Sequence, residues 1–134
     1  MKKFSKKFKA QNFFSIITVV LNGEKHLEKC IKSVLNQSFR NFELIVVDGK
    51  SQDRSVEIIK KYRKKIAYWC SEKDKGIYDA MNKGIKKARG NIIGILNSDD
   101  TYTEKALEIV NKYFNKNKDL DFLFGSVKKN RVMS

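Results

Sequence analysis

Residues 92–100 read Ile92-Ile93-Gly94-Ile95-Leu96-Asn97-Ser98-Asp99-Asp100, a short apolar run that passes directly into two carboxylates. An uninterrupted run of β-branched residues this short has the pattern of an interior strand in a parallel sheet, buried on both faces. Carboxylates just beyond such a strand fall at the C-terminal rim, where open α/β sheets bind ligands. Two adjacent acids repel each other unless a cation lies between them, and their oxygens suit hard ions such as Mg²⁺ or Mn²⁺. The plainer reading is that Asp99 and Asp100 cap the next helix. A second strand-to-acid junction favours the ligand site. Phe42-Glu43-Leu44-Ile45-Val46-Val47 ends in Asp48-Gly49 and puts another carboxylate on the same rim.

Outward from these junctions the pattern alternates. Strands are expected at 14–21, 42–47, 66–70, 92–96 and 122–125, with amphipathic helices between them. Leu27, Cys30, Ile31, Val34 and Leu35 form one apolar stripe; Val56, Ile59 and Tyr62 form a second, with Asp53 or Ser51 as its cap. Ile77, Met81, Gly84, Ile85 and Ala88 form a third, ended by Gly90, and Leu107, Val110 and Phe114 a fourth, capped by Thr103. Strict β-α alternation predicts an α/β fold, a doubly wound and mostly parallel sheet with helices on both faces. In strand order 3-2-1-4 the winding reverses between strands one and four. A crevice there would be lined by residues 18–22 and 97–100, with Asp48 one strand over. A nucleotide fits such a slot. The glycine fingerprint of dinucleotide folds is absent, since Asn22-Gly23-Glu24 follows strand one, and there is no P-loop.

The 134 residues divide into a basic arm at 1–12, one domain at 13–127 and a tail at 128–134 in which Lys128, Lys129 and Arg131 are solvated. Hydrophobic content of 41% argues against disorder. The 29 Lys and Arg against 15 Asp and Glu, a net +14, imply an anionic partner: nucleic acid, an acidic membrane surface or a phosphorylated ligand. Nucleic acid is disfavoured, because no basic motif or stacking pattern accompanies the charge. Cys30 and Cys70 read as small core residues, which makes a reducing cytoplasm the default. Lys2, Lys3, Lys6, Lys7 and Lys9 precede an apolar run at 13–21 in the manner of a signal peptide. Ser15 and Thr18 interrupt that run, no small-residue cleavage site follows, and it is too short to span a bilayer, so it is the first core strand. The lysine arm reads as a solvated tail; its alternative is peripheral contact with an anionic membrane at the inner face. His26 is expected to be solvated, Tyr68 and Trp69 to pack, and Tyr78 is either an exposed loop ring or part of a sugar site.

Four stretches, taken in order, carry a resemblance. Thr18-Val19-Val20-Leu21-Asn22, Val47-Asp48-Gly49-Lys50-Ser51-Gln52-Asp53, Asp74-Lys75-Gly76-Ile77-Tyr78-Asp79-Ala80-Met81-Asn82-Lys83-Gly84 and Asn97-Ser98-Asp99-Asp100 resemble the family 2 glycosyltransferases. The resemblance covers about 14–125, and the 74–84 stretch is similar to members that build bacterial surface polysaccharides. It implies a GT-A fold and transfer of a sugar from a nucleotide-sugar, usually a UDP-sugar, to a glycan or lipid-linked acceptor. It also implies that Thr18 and Asn22 flank the base, that Asp48 hydrogen-bonds uracil and that Asn97 contacts the ribose. Asp74 and Asn82 would lie near the donor's sugar or phosphate. Asp99 would hold the Mg²⁺ or Mn²⁺ that binds the diphosphate. Lys50 and Gln52 depart from a common Gly and Thr, Lys73 from Pro, Leu21 from Tyr and Asn97 from Asp. The resemblance further implies that the general base lies beyond the C-terminus and that the isolated chain is inactive. A non-catalytic nucleotide-sugar-binding fragment, or a degenerate enzyme lacking the acceptor half, is the alternative.

Overall fold

The computed structural model describes residues 12–117 and the backbone of 128–129. Strands β1 (Phe14–Val20), β2 (Phe42–Asp48), β3 (Tyr68–Ser71) and β4 (Ile92–Ile95) form one sheet in the order β3-β2-β1-β4. All three pairings are parallel: Phe14 aligns with both Phe42 and Ile92, and Asp48 aligns with Ser71. The expected order and the switch point between β1 and β4 are therefore present. Strand 122–125 lies outside the described residues.

Helices α1 (Leu27–Leu35), α2 (Ser55–Lys61), α3 (Ile77–Lys87) and α4 (Ala106–Lys116) fill the connections, with a 3₁₀ turn at Arg63–Lys65. Alternation along the strands divides the core in two. Phe14, Ile16 and Val20 of β1, with Leu44 and Val46 of β2, meet Leu27, Ile31 and Val34 of α1, Ile59 of α2 and Leu107 of α4. Ile17, Val19, Ile45 and Val47 face the other way, against Ala80 of α3. Each fully buried Ile or Leu here contributes about 1.5–3 kcal/mol relative to an exposed one. Trp69 packs into the first cluster and Tyr68 into the second, as expected.

Among the described residues β4 pairs only with β1; Ile93 is 41% and Ile95 37% exposed, because α3 packs on β1 and β2 rather than on β4. The run is apolar because its other face is covered: Ile92 packs against the first cluster. Two caps also differ. α3 ends at Lys87, three residues before Gly90, whose backbone instead lies against Phe13 and Ser15. Thr103 does not cap α4; Gln37, 1% exposed, reaches across, and its Oε1 accepts from the Leu107 N–H at 2.9 Å while its Nε2 donates to Thr103 O at 2.6 Å. At the start of the 128–134 tail, β6 (Lys128–Lys129) pairs antiparallel with β5 (Asp100–Thr101); residues 130–134 lie outside the described residues. No helix among the described residues is long and apolar enough to cross a membrane.

Candidate functional site

In a parallel sheet every strand delivers its C-terminal loop to one edge. Here four loops meet there. Gly49 N–H donates to Val20 O at 2.9 Å and Glu72 N–H to Asp48 O at 3.0 Å, which stitches the exits of β1, β2 and β3 together. A Cβ on Gly23 would stand 3.0 Å from Ser98 Oγ, so the loop after β1 also touches the one after β4.

Asp48 is the anchor of this rim. Its Oδ2 accepts from the Ser51 N–H at 2.9 Å and from Ser71 Oγ at 2.7 Å, and its Oδ1 accepts from Ser51 Oγ at 2.5 Å. Ser51 lies three residues on, in the turn that an Asp followed by Gly favours. Ser71 is opposite Asp48 in the β2–β3 register. The carboxylate is fully buried beneath its own loop. The three hydrogen bonds from the two serines fix the shape of the loop after β2 and leave about one of the carboxylate's four acceptor sites over. Asn22 adds a latch. It stands at φ 52°, a left-handed conformation that asparagine tolerates. Its N–H donates to Ser51 Oγ at 2.7 Å and its Oδ1 accepts from the Gln52 N–H at 2.8 Å. Lys50 has φ 70°, which explains why glycine is the ordinary residue at such a turn.

Beside this stands the loop after β3. Asp74 Oδ2 lies 2.8 Å from where a Gly49 Cβ would be, and its Oδ1 accepts from the Gly76 N–H at 3.0 Å. Gly76, at φ 122°, starts α3 from a conformation open only to glycine. Lys83 holds the loop from below. Its Nζ reaches Glu72 at 3.1 Å, Asp79 at 3.8 Å and Lys73 O at 3.2 Å, and the hydrogen bond to Glu72 raises its pKa.

The loop after β4 brings Asn97 and Asp99, both exposed, to the rim. Asn97 O accepts from Cys30 Sγ at 3.5 Å, which ties this loop to α1. Burial pushes the Cys30 thiol up to about 12, so it is an inert core group. Asp99 and Asp100 do not share the crevice. Asp100 opens β5 and is 2% exposed, while Asp99 remains in the preceding turn. Of the two acids, only Asp99 is exposed, which does not match a cation held between the pair. No cluster of three or more His, Cys, Asp or Glu side chains able to hold a metal exists among the described residues. Asp99 nevertheless fits a divalent ion that takes most of its shell from phosphate and water, as Mg²⁺ commonly does.

Two expected residues fall elsewhere, and a third residue differs in burial. Thr18 is fully buried, with Oγ1 3.8 Å from Cys30 Sγ, because its position in β1 points it under α1. Asn82 is exposed on α3, about 200° around the helix from both Ala80 and Gly84, so it turns away from the sheet. His26 is half-buried rather than solvated, and its Nδ1 is buried with no hydrogen-bond partner among the described residues. Tyr78 is 78% exposed at the start of α3. The sequence reading missed Ser51 and Ser71 as site builders, together with Asp53, whose Oδ2 accepts from the Glu24 N–H at 3.1 Å. A cleft of about 540 Å³ lined by Ser33, Asn36, Tyr102 and Glu104 lies where α1 ends, apart from this rim.

The model of glycosyl transferase family 2 matches residues 15–132. An uncharacterized glycosyltransferase of Methanocaldococcus jannaschii is 38% identical over 118 residues, covering 84% of this chain and 41% of that protein. The minor teichoic acid biosynthesis protein GgaB of Bacillus subtilis is 34% identical over 111 residues, covering 79% of this chain and 12% of that protein. Among solved structures, TarS 1–349 of S. aureus in complex with UDP-GlcNAc superposes with a TM-score of 0.72 at 27% identity, covering 79% of this chain and 32% of that one. The chain thus spans less than half the length of each of these relatives.

Proposed function

The chain belongs to glycosyl transferase family 2, and from that membership we propose that it forms the donor-binding part of an enzyme moving a sugar from a UDP-sugar to a glycan or lipid-linked acceptor of surface polysaccharide. The observation that carries this reading is the meeting of four loops at one rim, on both sides of the β1–β4 switch point. The solved relative that holds UDP-GlcNAc supports a donor of the same class here.

In this reading the uridine rests on the loops that carry Asn22 and Gly49, with Asp48 fixing their shape from below. Asn97 hydrogen-bonds the ribose; an amide both donates and accepts, so it keeps that ability without the charge of an aspartate. Asp99 would hold a divalent ion, whose charge would offset that developing on the leaving diphosphate. Asp74 and the exposed ring of Tyr78 border the donor's sugar. Titration calorimetry with UDP, GDP and ADP in the presence of Mn²⁺ tests the assignment. UDP should bind at least about tenfold more tightly than the other two, about 1.4 kcal/mol. Equal affinities for the three nucleotides would remove the uridine assignment.

A further inference from the structure

Where β1 and β2 end, the Gly49 N–H still reaches Val20 O at 2.9 Å. Beyond that bond the two chains stay together through side chains. The Asn22 N–H donates to Ser51 Oγ at 2.7 Å, the Gly23 N–H to Ser55 Oγ at 2.9 Å and the Glu24 N–H to Asp53 Oδ2 at 3.1 Å. Bonds also run the other way: the Gln52 N–H donates to Asn22 Oδ1 at 2.8 Å and the Arg54 N–H to Glu24 Oε1 at 3.1 Å. Each segment supplies side-chain acceptors for the other's amides.

Asp53 lies at the centre of this zipper. Its other oxygen, Oδ1, accepts from the Ser55 N–H at 2.9 Å, so one carboxylate ties the loop after β1 to the first residue of α2. Ser55 itself is fully buried. Burial pushes the Asp53 carboxyl up, but hydrogen bonds from Ser55 and from the Glu24 N–H outweigh burial and hold it below its ordinary value of 3.8. At neutral pH it is therefore ionised and only accepts. Separating the two segments would break all five cross-loop bonds together, so they behave as one body. The same bonds, with that from the Ser51 N–H to Asp48, use the amides of 22–24, 51, 52, 54 and 55 inside the protein. None of these N–H groups is left to cradle a phosphate, as loop amides otherwise can.

We infer that Asp53 is a positioning residue, which with Ser51 and Ser55 holds the loops after β1 and β2 as a shelf formed for the nucleoside before the donor arrives. The inference rests on the proposed donor reading, in which uridine lies on the loops that carry Asn22 and Gly49. A surface built in advance spares the ligand the cost of ordering it, a cost that otherwise subtracts from affinity. Nucleoside and diphosphate then contribute separately, and loosening the zipper weakens every uridine-containing ligand by one factor.

Amide hydrogen exchange on the full chain, with and without UDP, and NMR titrations with uridine, UDP and ADP in Mg²⁺ test this. In the free protein the amides of Asn22, Gly23 and Glu24 should exchange at least about a hundredfold more slowly than in an unstructured chain, and UDP should add little. Asp53→Ala should release the Glu24 amide and weaken uridine and UDP equally, by about tenfold. Asp53→Asn keeps one of the two acceptors and should fall between. Circular dichroism melts establish that both variants fold. A purely structural Asp53 would lower the melting temperature and leave both affinities unchanged, which overturns the inference. So would amides of 22–24 that are protected only when UDP is bound, or an Asp53→Ala variant that loses UDP but keeps uridine. Failure of the donor reading looks different: the unmodified protein would bind UDP no better than ADP while the same amides stay protected, and the inference would fall with it.

Discussion

The carboxylate of Asp74 lies directly against Gly49, with Oδ2 2.8 Å from the point a Cβ on that glycine would occupy. Real Cβ atoms do not come that close, and Asp74 cannot swing freely because its Oδ1 is held by the Gly76 N–H. Gly49→Ala should therefore push Asp74 off the rim at an overpacking cost of about 1–3 kcal/mol. Donor affinity measured by calorimetry should fall with it, by about tenfold. In an Asp74→Ala background the added methyl has nothing to displace, and its effect should vanish. An undiminished loss in that background would show that Gly49 matters for some other reason.

Lys50 offers the reverse case. At φ 70° a lysine is strained by about 1–2 kcal/mol, whereas glycine is not. Glycine's greater freedom in the unfolded chain offsets part of that, about 0.5–1 kcal/mol. Lys50→Gly should raise stability by about 0.5–1 kcal/mol in urea titrations, and Lys50→Ala should give no gain. A loss of stability in the glycine variant would mean that the lysine side chain makes a contribution larger than the strain.

The parts of this architecture that depend on periodicity were legible in the sequence. Alternating and helical apolar patterns located β1 to β4 and the helices, and the order common to doubly wound folds, 3-2-1-4, is the one observed. What periodicity cannot express was lost. Thr18 sits in the right strand, but a strand position says which face a side chain takes only once the covering helix is known, and α1 covers it. Ile93 and Ile95 look like core because an apolar run does not say which of its faces a helix covers, and α3 packs on β1 and β2 instead. Ser71 is 23 residues from Asp48 and becomes its partner only through the β2–β3 register. Ser51 carried a local turn signal and could have been found.

Glu43 predicts an acid-sensitive element away from the rim. Burial pushes its pKa up, but hydrogen bonds from Ser15 Oγ, the Arg89 N–H and the Arg89 guanidinium outweigh burial and hold it below its ordinary value of 4.5. A carboxyl whose folded pKa is depressed stabilises the protein above the unfolded value and loses that contribution as pH falls through the folded one. Denaturant midpoints should thus be flat above about pH 5 and fall below about pH 4.5. Glu43→Gln should lower stability at neutral pH and flatten the acid limb. Some slope will remain, because Asp53 and Glu28 are also held low by their partners. An acid limb unchanged by Glu43→Gln would refute the assignment.

The two neighbouring aspartates give the sharpest test of the donor site. Asp99 is exposed in the turn after β4, whereas Asp100 is 2% exposed at the start of β5. In the proposed reading the first, being exposed, would meet an ion carried in with a diphosphate, and the second would not. In the same reading UDP should bind about tenfold more tightly with Mn²⁺ or Mg²⁺ than in chelator, because a carboxylate repels phosphate until a cation lies between them. Asp99→Ala should abolish that difference while leaving the melting temperature nearly unchanged, as expected for an exposed side chain. Asp100→Asn should do the opposite, lowering the melting temperature while keeping the response to metal. Calorimetric titrations that are equal with and without metal in the unmodified protein would exclude a metal-assisted diphosphate site at Asp99. A metal response lost in the Asp100 variant but kept in the Asp99 variant would move the ligand to the neighbouring residue.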